Sequence, residues 1–236
     1  MTDVRLNKYL ADRKLASRRE ADVLIAEGKV LVNGKKAVIG QKVSEDDIVR
    51  LSPNATKAKT YLAYYKGAGI ITHSPDKDKG EIDIATRIKK DYSIKDVYPI
   101  GRLDKASEGL IILTNDGRIT SALLDSENDI EKEYEVTVDK PVTGRLLKKL
   151  AEGVNIEGYV TKPALTAPKS GKTFRIILTE GKKHQIRRMC MALGWQVKIL
   201  KRVRVVNIKL DKLKPNQYRK IVGKELQEFL KELGLT

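Results

Sequence analysis

The spacing of hydrophobic positions in the first fifty residues predicts two helices followed by a hairpin. Apolar residues within 6–10 recur at helical spacing, and residues 17–20, Ser-Arg-Arg-Glu, form a capping box for a second helix. The apolar stripe at 21–25 continues that helix. Residues 30–32 then alternate into Asn33-Gly34, which is the strongest short-range signal for a hairpin.

Further along the chain, short apolar segments are separated by turn signals. Residues 97–100 (VYPI) and 109–114 (GLIILT) predict two brief strands, and Asn115-Asp116-Gly117 predicts the turn that ends the second one. The loop between the two strands, residues 101–108, therefore begins and ends at strand ends.

A third group of elements is predicted in the last hundred residues. Residues 131–138 (EKEYEVTV) alternate with period two, which places Tyr134 on the same face as two buried valines. Residues 174–181 predict another strand, and the apolar spacing of 186–193 predicts a helix that ends at Gly194.

The punctuation of the chain predicts two domains. Residues 1–52 contain their own helices and hairpin, and residues 60–236 contain the remaining strands and helices. Between them, residues 53–59 have few large apolar side chains and one proline, so they predict a linker.

The charge of the chain favours a polyanionic partner. There are 47 lysines and arginines against 31 acidic residues, a net charge of +16 and a pI of about 9.7. Residues 172–220 hold 15 basic and 2 acidic side chains, which is most of this surplus. Because the chain has only one tryptophan and two phenylalanines, nucleic acid fits this charge better than a membrane surface.

Several classes of protein are disfavoured by what the sequence lacks. A single cysteine, Cys190, cannot form an internal disulfide and is expected to be a core thiol, so a cytoplasmic protein is predicted. With two histidines and that one cysteine, a metal site is not expected. The sequence shows no membrane span, signal peptide, P-loop or Gly-x-Gly-x-x-Gly fingerprint, so neither membrane attachment nor a nucleotide cofactor is expected.

The loop at residues 101–108 contains the most informative candidate for chemistry. Asp104 lies between Arg102 and Lys105, and an ionised carboxylate beside basic groups is suited to act on a polyanion such as RNA. Taken alone, the same residues favour a carboxylate that caps a turn or helix and pairs with its neighbours.

Residues 182–189 (KKHQIRRM) offer possible partners for that carboxylate. Helical geometry places Arg187 at the edge of the apolar stripe, where it would be partly buried and would need an anionic partner, for which Asp104 is the natural candidate. Arg188 lies roughly opposite the stripe and is free to meet phosphate. His184 is expected at the surface or behind the site, and Tyr134 is either a core tyrosine or a stacking platform for a base.

Residues 4–50 resemble the S4 RNA-binding domain in the order and spacing of their motifs. The resemblance implies docking on folded RNA through phosphates and helix shape. The basic side chains expected on that surface are Arg5, Lys8, Arg18, Arg19, Lys29 and Lys35.

The second domain carries a further family resemblance. The segments GRLDKASEGL, EKEYEVTV and EGKKHQIRRMCMALGWQVKILKRVRV resemble the bacterial pseudouridine synthases of the RsuA/RluB/RluE/RluF type. The segments VYPIGRLDKASEGLIILTNDG, EKEYEVTVDKPVT and GYVTKPAL are most similar to the RluF branch, which acts on large-subunit ribosomal RNA. The resemblance covers nearly the whole chain. It implies an α+β fold, in which a small α/β S4 domain precedes a mixed, mostly antiparallel sheet with flanking helices.

The resemblance also implies roles for individual residues. Asp104 matches the catalytic aspartate, Arg102 the basic residue that helps displace the target nucleotide, and Tyr134 the tyrosine that stacks on the flipped uracil. Arg187 matches the arginine that pairs with the aspartate, and Leu200 resembles a hydrophobic residue of the pocket floor. Further RNA contacts are expected at Lys182, Lys183, Arg188, Lys201 and Arg202.

The predicted function is therefore the isomerisation of uridine to pseudouridine in structured RNA. The expected substrate is 23S ribosomal RNA of the large subunit, and the enzyme is expected to be a monomer without a metal or cofactor. Small-subunit ribosomal RNA and tRNA are the alternative substrates. A non-catalytic RNA-binding or ribosome-assembly factor explains the charge and the first domain equally well. It does not explain an aspartate within a basic loop.

Overall fold

The structure is a computed structural model of the chain and describes residues 3–53, 55, 58–76, 80–125 and 128–235. Seven helices lie in these ranges: α1 Leu6–Asp12, α2 Arg18–Ala26, α3 Ile84–Tyr92, α4 Arg118–Leu124, α5 Gly144–Glu152, α6 Gln185–Ala192 and α7 Gly223–Glu232. The strands of the first domain are β1 Val4–Arg5, β2 Val30–Val32, β3 Lys35–Lys36, β4 Lys42–Val43 and β5 Val49–Leu51. Those that follow are β6 Tyr61–Lys66, β7 Tyr98–Ile100, β8 Glu108–Thr114, β9 Lys132–Val138, β10 Asn155–Ile156, β11 Tyr159–Val160, β12 Leu165–Ser170, β13 Thr173–Leu178, β14 Val197–Val205, β15 Ile208–Lys209 and β16 Tyr218–Lys220.

The first fifty residues fold as their hydrophobic pattern predicts. Helices α1 and α2 pack on the sheet β3-β2-β5, with Leu6, Leu10 and Leu24 buried between them. The capping box is present, because Ser17 Oγ accepts from the Glu20 N–H at 3.2 Å and Glu20 Oε2 accepts from the Ser17 N–H at 3.4 Å. The predicted helices and hairpin are confirmed.

The remainder of the chain is organised by one nine-stranded sheet. Its order is β12-β13-β9-β14-β8-β6-β16, with β15 paired to β14 and β7 paired to β8. Neighbouring strands are antiparallel except for β14 and β8, which run parallel. The predicted α+β fold with a mixed, mostly antiparallel sheet is confirmed.

The parallel pair brings two segments that are distant in sequence to the same end of the central strands. Glu108 is the partner of Lys201, so the loop before β8 and the helix before β14 both lie at the amino-terminal ends of these strands. The strands approach closely at Gly109, because a Cβ there would lie 2.2 Å from the Arg202 carbonyl oxygen. With a φ of +112°, this position accepts glycine far better than any other residue.

One face of this sheet is covered by α5 and α6. Val136, Phe174 and Leu200 are buried there against Leu150 and Ile186 of the two helices. Tyr134 packs against the same cluster, while the neighbouring Glu133 and Glu135 pair with basic side chains. The predicted alternation of β9 is therefore confirmed.

The S4-like unit contacts the unit that follows it. Lys14 Nζ donates to the Gly234 carbonyl at 2.8 Å, and Arg118 donates to the Lys14 carbonyl at 3.3 Å. Ser17 lies directly over Gly117, where a Cβ would approach its Oγ to 2.4 Å.

The domain boundaries stay a prediction, and residues 54, 56 and 57 of the predicted linker lie outside the described residues. Within the described ranges, we find no helix with the length and apolarity to cross a membrane.

Candidate active site

Asp104 lies in the loop between β7 and β8, as predicted. Its side chain is 40% exposed, and its backbone carbonyl accepts from the Ser107 N–H at 2.9 Å, which closes a tight turn. The carboxylate Oδ1 lies 3.4 Å from His184 Nε2. The loop thus presents a carboxylate that is supported on one side and accessible to a substrate.

Lys66 supports this loop from within the protein. Its side chain is fully buried at the end of β6, and its Nζ donates to the carbonyls of Ser107 at 2.6 Å, Gly67 at 3.1 Å and Lys105 at 3.5 Å. Burial lowers the pKa of Lys66 to about 8, although the nearby Asp104 carboxylate acts in the opposite direction. Lys66 was not among the predicted site residues, although a lysine at the end of an otherwise apolar strand was an available signal.

Arg187 is also connected to the loop, but not in the way we expected. Its guanidinium donates to the Val197 carbonyl at 3.1 Å and to Ser107 Oγ at 3.4 Å. The predicted direct ion pair with Asp104 is not formed, because the arginine meets the loop three residues after the aspartate. The predicted partial burial of Arg187 is confirmed, and its contact with Ser107 ties α6 to the carboxylate-bearing loop.

His184, rather than Arg187, is the side chain that meets Asp104. It precedes α6 with left-handed backbone angles, φ 53° and ψ 28°, and its side chain is 49% exposed. Its spacing offered a signal that the sequence analysis did not use. Residues three apart on a helix share a face, so His184 and Arg187 could both be expected to approach the same loop.

Tyr134 and Leu200 lie on the sheet beside the loop. Tyr134 is partly buried, Leu200 is 7% exposed, and both belong to the cluster beneath α6. In the sheet, Tyr134 pairs with Arg202, which in turn pairs with Gly109. Two strand spacings, about 10 Å, therefore separate the backbone of Tyr134 from the start of β8.

Arg102 is exposed in the same loop, two residues before Asp104. Partial desolvation and the positive charge of Arg102 lower the pKa of His73. The Arg102 guanidinium and the Asp104 carboxylate are both accessible from solvent, as a role at the substrate requires.

The basic residues predicted in the S4-like unit are on its surface. Lys29 is partly covered and pairs with Glu27 at 2.7 Å, and the other five are exposed: Arg5, Lys8, Arg18, Arg19 and Lys35. These side chains are available to phosphates.

The basic residues predicted beyond that unit are not equally available. Lys182 and Lys183 are exposed, and Lys201 is partly covered, with its Nζ 3.7 Å from Glu108. The guanidinium of Arg188 is engaged with Glu157 at 2.7 Å, and only 25% of its side chain is exposed. Phosphate would therefore have to compete with a carboxylate for Arg188.

Arg202 is buried, in contrast to the other predicted RNA contacts. It is 3% exposed and donates from Nε to the Leu110 carbonyl at 2.7 Å, so the prediction that it contacts RNA is wrong. The physical reason is that Arg202 lies on the same face of β14 as the buried Leu200, and its partner in β8 is Gly109, which has no side chain to keep the guanidinium out.

The remaining chemical candidates do not add a metal centre. Cys190 is buried, and burial raises the pKa of its thiol to about 12, so the predicted core thiol is confirmed. Among the described residues, no three histidine, cysteine, aspartate or glutamate side chains are grouped as metal ligands would be.

Comparisons with known proteins agree with this architecture. Residues 60–192 match the family described as RNA pseudouridylate synthase, and residues 4–49 match the S4 domain. The Shigella flexneri protein named Dual-specificity RNA pseudouridine synthase RluF is 40% identical over 236 residues, covering 98% of this chain and 79% of the relative. Ribosomal large subunit pseudouridine synthase B of Bacillus subtilis is 36% identical, covering 95% of both chains.

A solved structure gives the same result for the fold. The crystal structure of a pseudouridylate synthase matches with a TM-score of 0.69 and 26% identity, and the match covers 98% of this chain and 99% of the other. The chain, an enzyme with an S4 domain at its amino-terminal side, therefore belongs to the RNA pseudouridylate synthase family.

Proposed function

We propose that this RNA pseudouridine synthase isomerises a uridine of large-subunit ribosomal RNA and that Asp104 acts on the ribose of that uridine. The observation that carries the proposal is the setting of the Asp104 carboxylate. It is accessible at a strand end and lies 3.4 Å from His184, while Lys66 and Arg187 hold Ser107 in the same loop.

The reaction explains why such a carboxylate is needed. The bond between C1′ and N1 breaks, the uracil turns, and C1′ joins C5; the C5 proton leaves and N1 gains one, so the composition of the RNA is unchanged. Asp104 either attacks C1′ as a nucleophile or removes the proton from C2′ as a base. Both routes require the ionised form of the carboxylate.

The residues around the loop are suited to hold an unstacked base. Removing a base from its stack costs a few kcal/mol, which aromatic stacking and phosphate contacts must offset. We assign stacking on the uracil to Tyr134, occupation of the vacated position to Arg102, and the apolar floor to Leu200. Arg187 acts on Asp104 through Ser107, and is thus a positioning residue rather than a direct ion partner.

The choice of large-subunit RNA is supported by one relative, and the binding of RNA is supported by the exposed basic groups. The Bacillus subtilis relative is named for the large ribosomal subunit, and the Shigella flexneri relative is named as a dual-specificity enzyme. We further propose that the enzyme works as a monomer in the cytoplasm. The exposed lysines and arginines of the S4 domain bind phosphates of folded RNA and set the position of the second domain.

Tritium release from [5-³H]uridine-labelled RNA tests the proposal, because tritium leaves C5 only when pseudouridine forms. Wild-type protein is expected to release tritium from large-subunit ribosomal RNA, and Asp104→Asn to release none above background. Asp129→Asn, which changes an exposed carboxylate paired with Lys162, serves as the matched control and retains activity. Release only from small-subunit RNA or tRNA would overturn the substrate, and an active Asp104→Asn would overturn the role of Asp104.

A further inference from the structure

Glu180 is a buried carboxylate in the most basic part of the chain. It is 4% exposed and accepts three hydrogen bonds, from the Tyr159 hydroxyl at 2.5 Å, from Gln185 Nε2 at 2.5 Å and from the Lys162 N–H at 3.0 Å. A buried carboxylate is tolerated when hydrogen bonds satisfy it in this way. Glu180 therefore fixes the segments that supply its donors, and one of those segments presents an aromatic ring.

That ring belongs to Tyr159, in the short hairpin formed by β10 and β11. The residue is 36% exposed, although its hydroxyl is held by Glu180. The ammonium of Lys182 lies 4.6 Å from the centre of the ring. The ammonium thus covers one face of the ring. Single-stranded nucleic acid binds to such a pair with a base on the ring and a phosphate at the cation, which leaves the ring face when the base takes it.

The pair is connected to the active site through the start of α6. Gln185 Oε1 accepts from the Lys182 N–H at 2.9 Å, and the Lys182 carbonyl accepts from the Gln185 N–H at 3.2 Å. His184, whose Nε2 lies 3.4 Å from the Asp104 carboxylate, is between them in the chain. Two residues span at most about 7.6 Å between Cα atoms, so Lys182 lies at the margin of the site.

We propose that Tyr159 and Lys182 form a binding site for a nucleotide that neighbours the target uridine, with the base stacked on Tyr159 and a phosphate bound by Lys182. Glu180 and Gln185 position this site relative to Asp104. The inference rests on the proposed placement of the target uridine at Asp104. It adds a second point of contact with unpaired RNA, separate from the stacking role assigned to Tyr134.

The binding test uses the full chain and a large-subunit ribosomal RNA transcript, and it requires no turnover. Tyr159→Leu removes the ring and is expected to weaken binding by about 5-fold or more, the lower end of what one base–aromatic stack contributes. Tyr159→Phe keeps the ring but loses the bond to Glu180, and is expected to bind within about 2-fold of wild type. Tyr98→Leu, on an exposed tyrosine in β7, is the matched control and binds as wild type does.

The pattern of these variants separates stacking from a structural role. If Tyr159→Phe binds RNA as weakly as Tyr159→Leu, the tyrosine acts only by holding Glu180 through its hydroxyl, and the proposal fails. The proposal also fails if Tyr159→Leu binds RNA as tightly as the wild type. Lys182→Met is expected to reduce the salt dependence of binding by about one phosphate contact. An unchanged salt dependence overturns the phosphate role. Tritium release by the wild type reports separately on the proposed function.

Discussion

The contact between Ser17 and Gly117 allows the docking of the S4 domain to be tested with one methyl group. Gly117 precedes α4 with φ −62° and ψ −18°, values that alanine adopts without strain. Its added Cβ would lie 2.4 Å from Ser17 Oγ and 2.6 Å from Ser17 Cβ. We therefore expect Gly117→Ala to disturb the contact between the domains while leaving the backbone of α4 intact.

The magnitude follows from two opposing effects. Replacing glycine by alanine at a compatible position stabilises a protein by about 0.4–1 kcal/mol, because the unfolded chain loses freedom. The overlap acts against this gain: rotating Ser17 away sacrifices the cap of α2, which contributes about 1 kcal/mol, and overpacking costs about 1–3 kcal/mol. Gly144→Ala, at the start of α5 with nothing within 4 Å, has only the gain.

Urea denaturation of the wild type, Gly117→Ala and Gly144→Ala measures this difference in the free energy of unfolding. We expect the free energy of unfolding of Gly117→Ala to lie about 1–3 kcal/mol below that of Gly144→Ala. Small-angle scattering should show a larger radius of gyration where the S4 domain has moved away. Adding Ser17→Gly to Gly117→Ala removes the overlap at a cost of only a few tenths of a kcal/mol, and should restore both values. Equal stability and size for Gly117→Ala and Gly144→Ala would refute the docked arrangement.

Three further outcomes are expected. The pKa of Lys66 is lowered to about 8 from 10.5, so the folded state loses this proton at a lower pH than the unfolded state does. The free energy of unfolding should therefore rise by up to ~3 kcal/mol as the pH rises from about 8 towards 10.5. Lys66→Met should lack this part of the rise when unfolding by urea is measured at several pH values. Burial raises the pKa of Cys190 to about 12, so iodoacetamide should label it at pH 8 only after unfolding, and rapid labelling of native protein would contradict its place in the core. Arg202→Met should lower stability by about 1–3 kcal/mol without changing the salt dependence of RNA binding, whereas Lys35→Met should change the salt dependence and not the stability.

Local patterns in the sequence were sufficient for much of the fold. The capping box at Ser17, the hairpin at Asn33-Gly34 and the alternation around Tyr134 each depend on neighbouring residues, and all three are present in the structure. The position of Asp104 between two strands was predictable for the same reason. Where the signal lies within a few residues, periodicity and turn chemistry determine the outcome.

The errors arose where the outcome depends on pairing between distant segments. Arg202 is held in the interior by its bond to the Leu110 carbonyl of β8, and no local pattern shows that two strands some ninety residues apart are parallel neighbours. The loop at Asp104 meets His184 for the same reason, while Arg187 reaches Ser107 instead. Helical geometry predicted which face Arg187 occupies, but not which atom it would find there.

The parallel pairing of β8 with β14 also bears on when the enzyme becomes competent during its synthesis. The core of the S4 domain is built from residues 6–55, so we expect this unit to fold as soon as it leaves the ribosome. The loop of Asp104, in contrast, contacts His184 and Arg187, and Arg187 also donates to the Val197 carbonyl at the start of β14. This set of contacts is complete only after β14 has been synthesised. We therefore expect a nascent chain to bind RNA before it can modify it, because the proposed catalytic loop gains these contacts only when β14 is made.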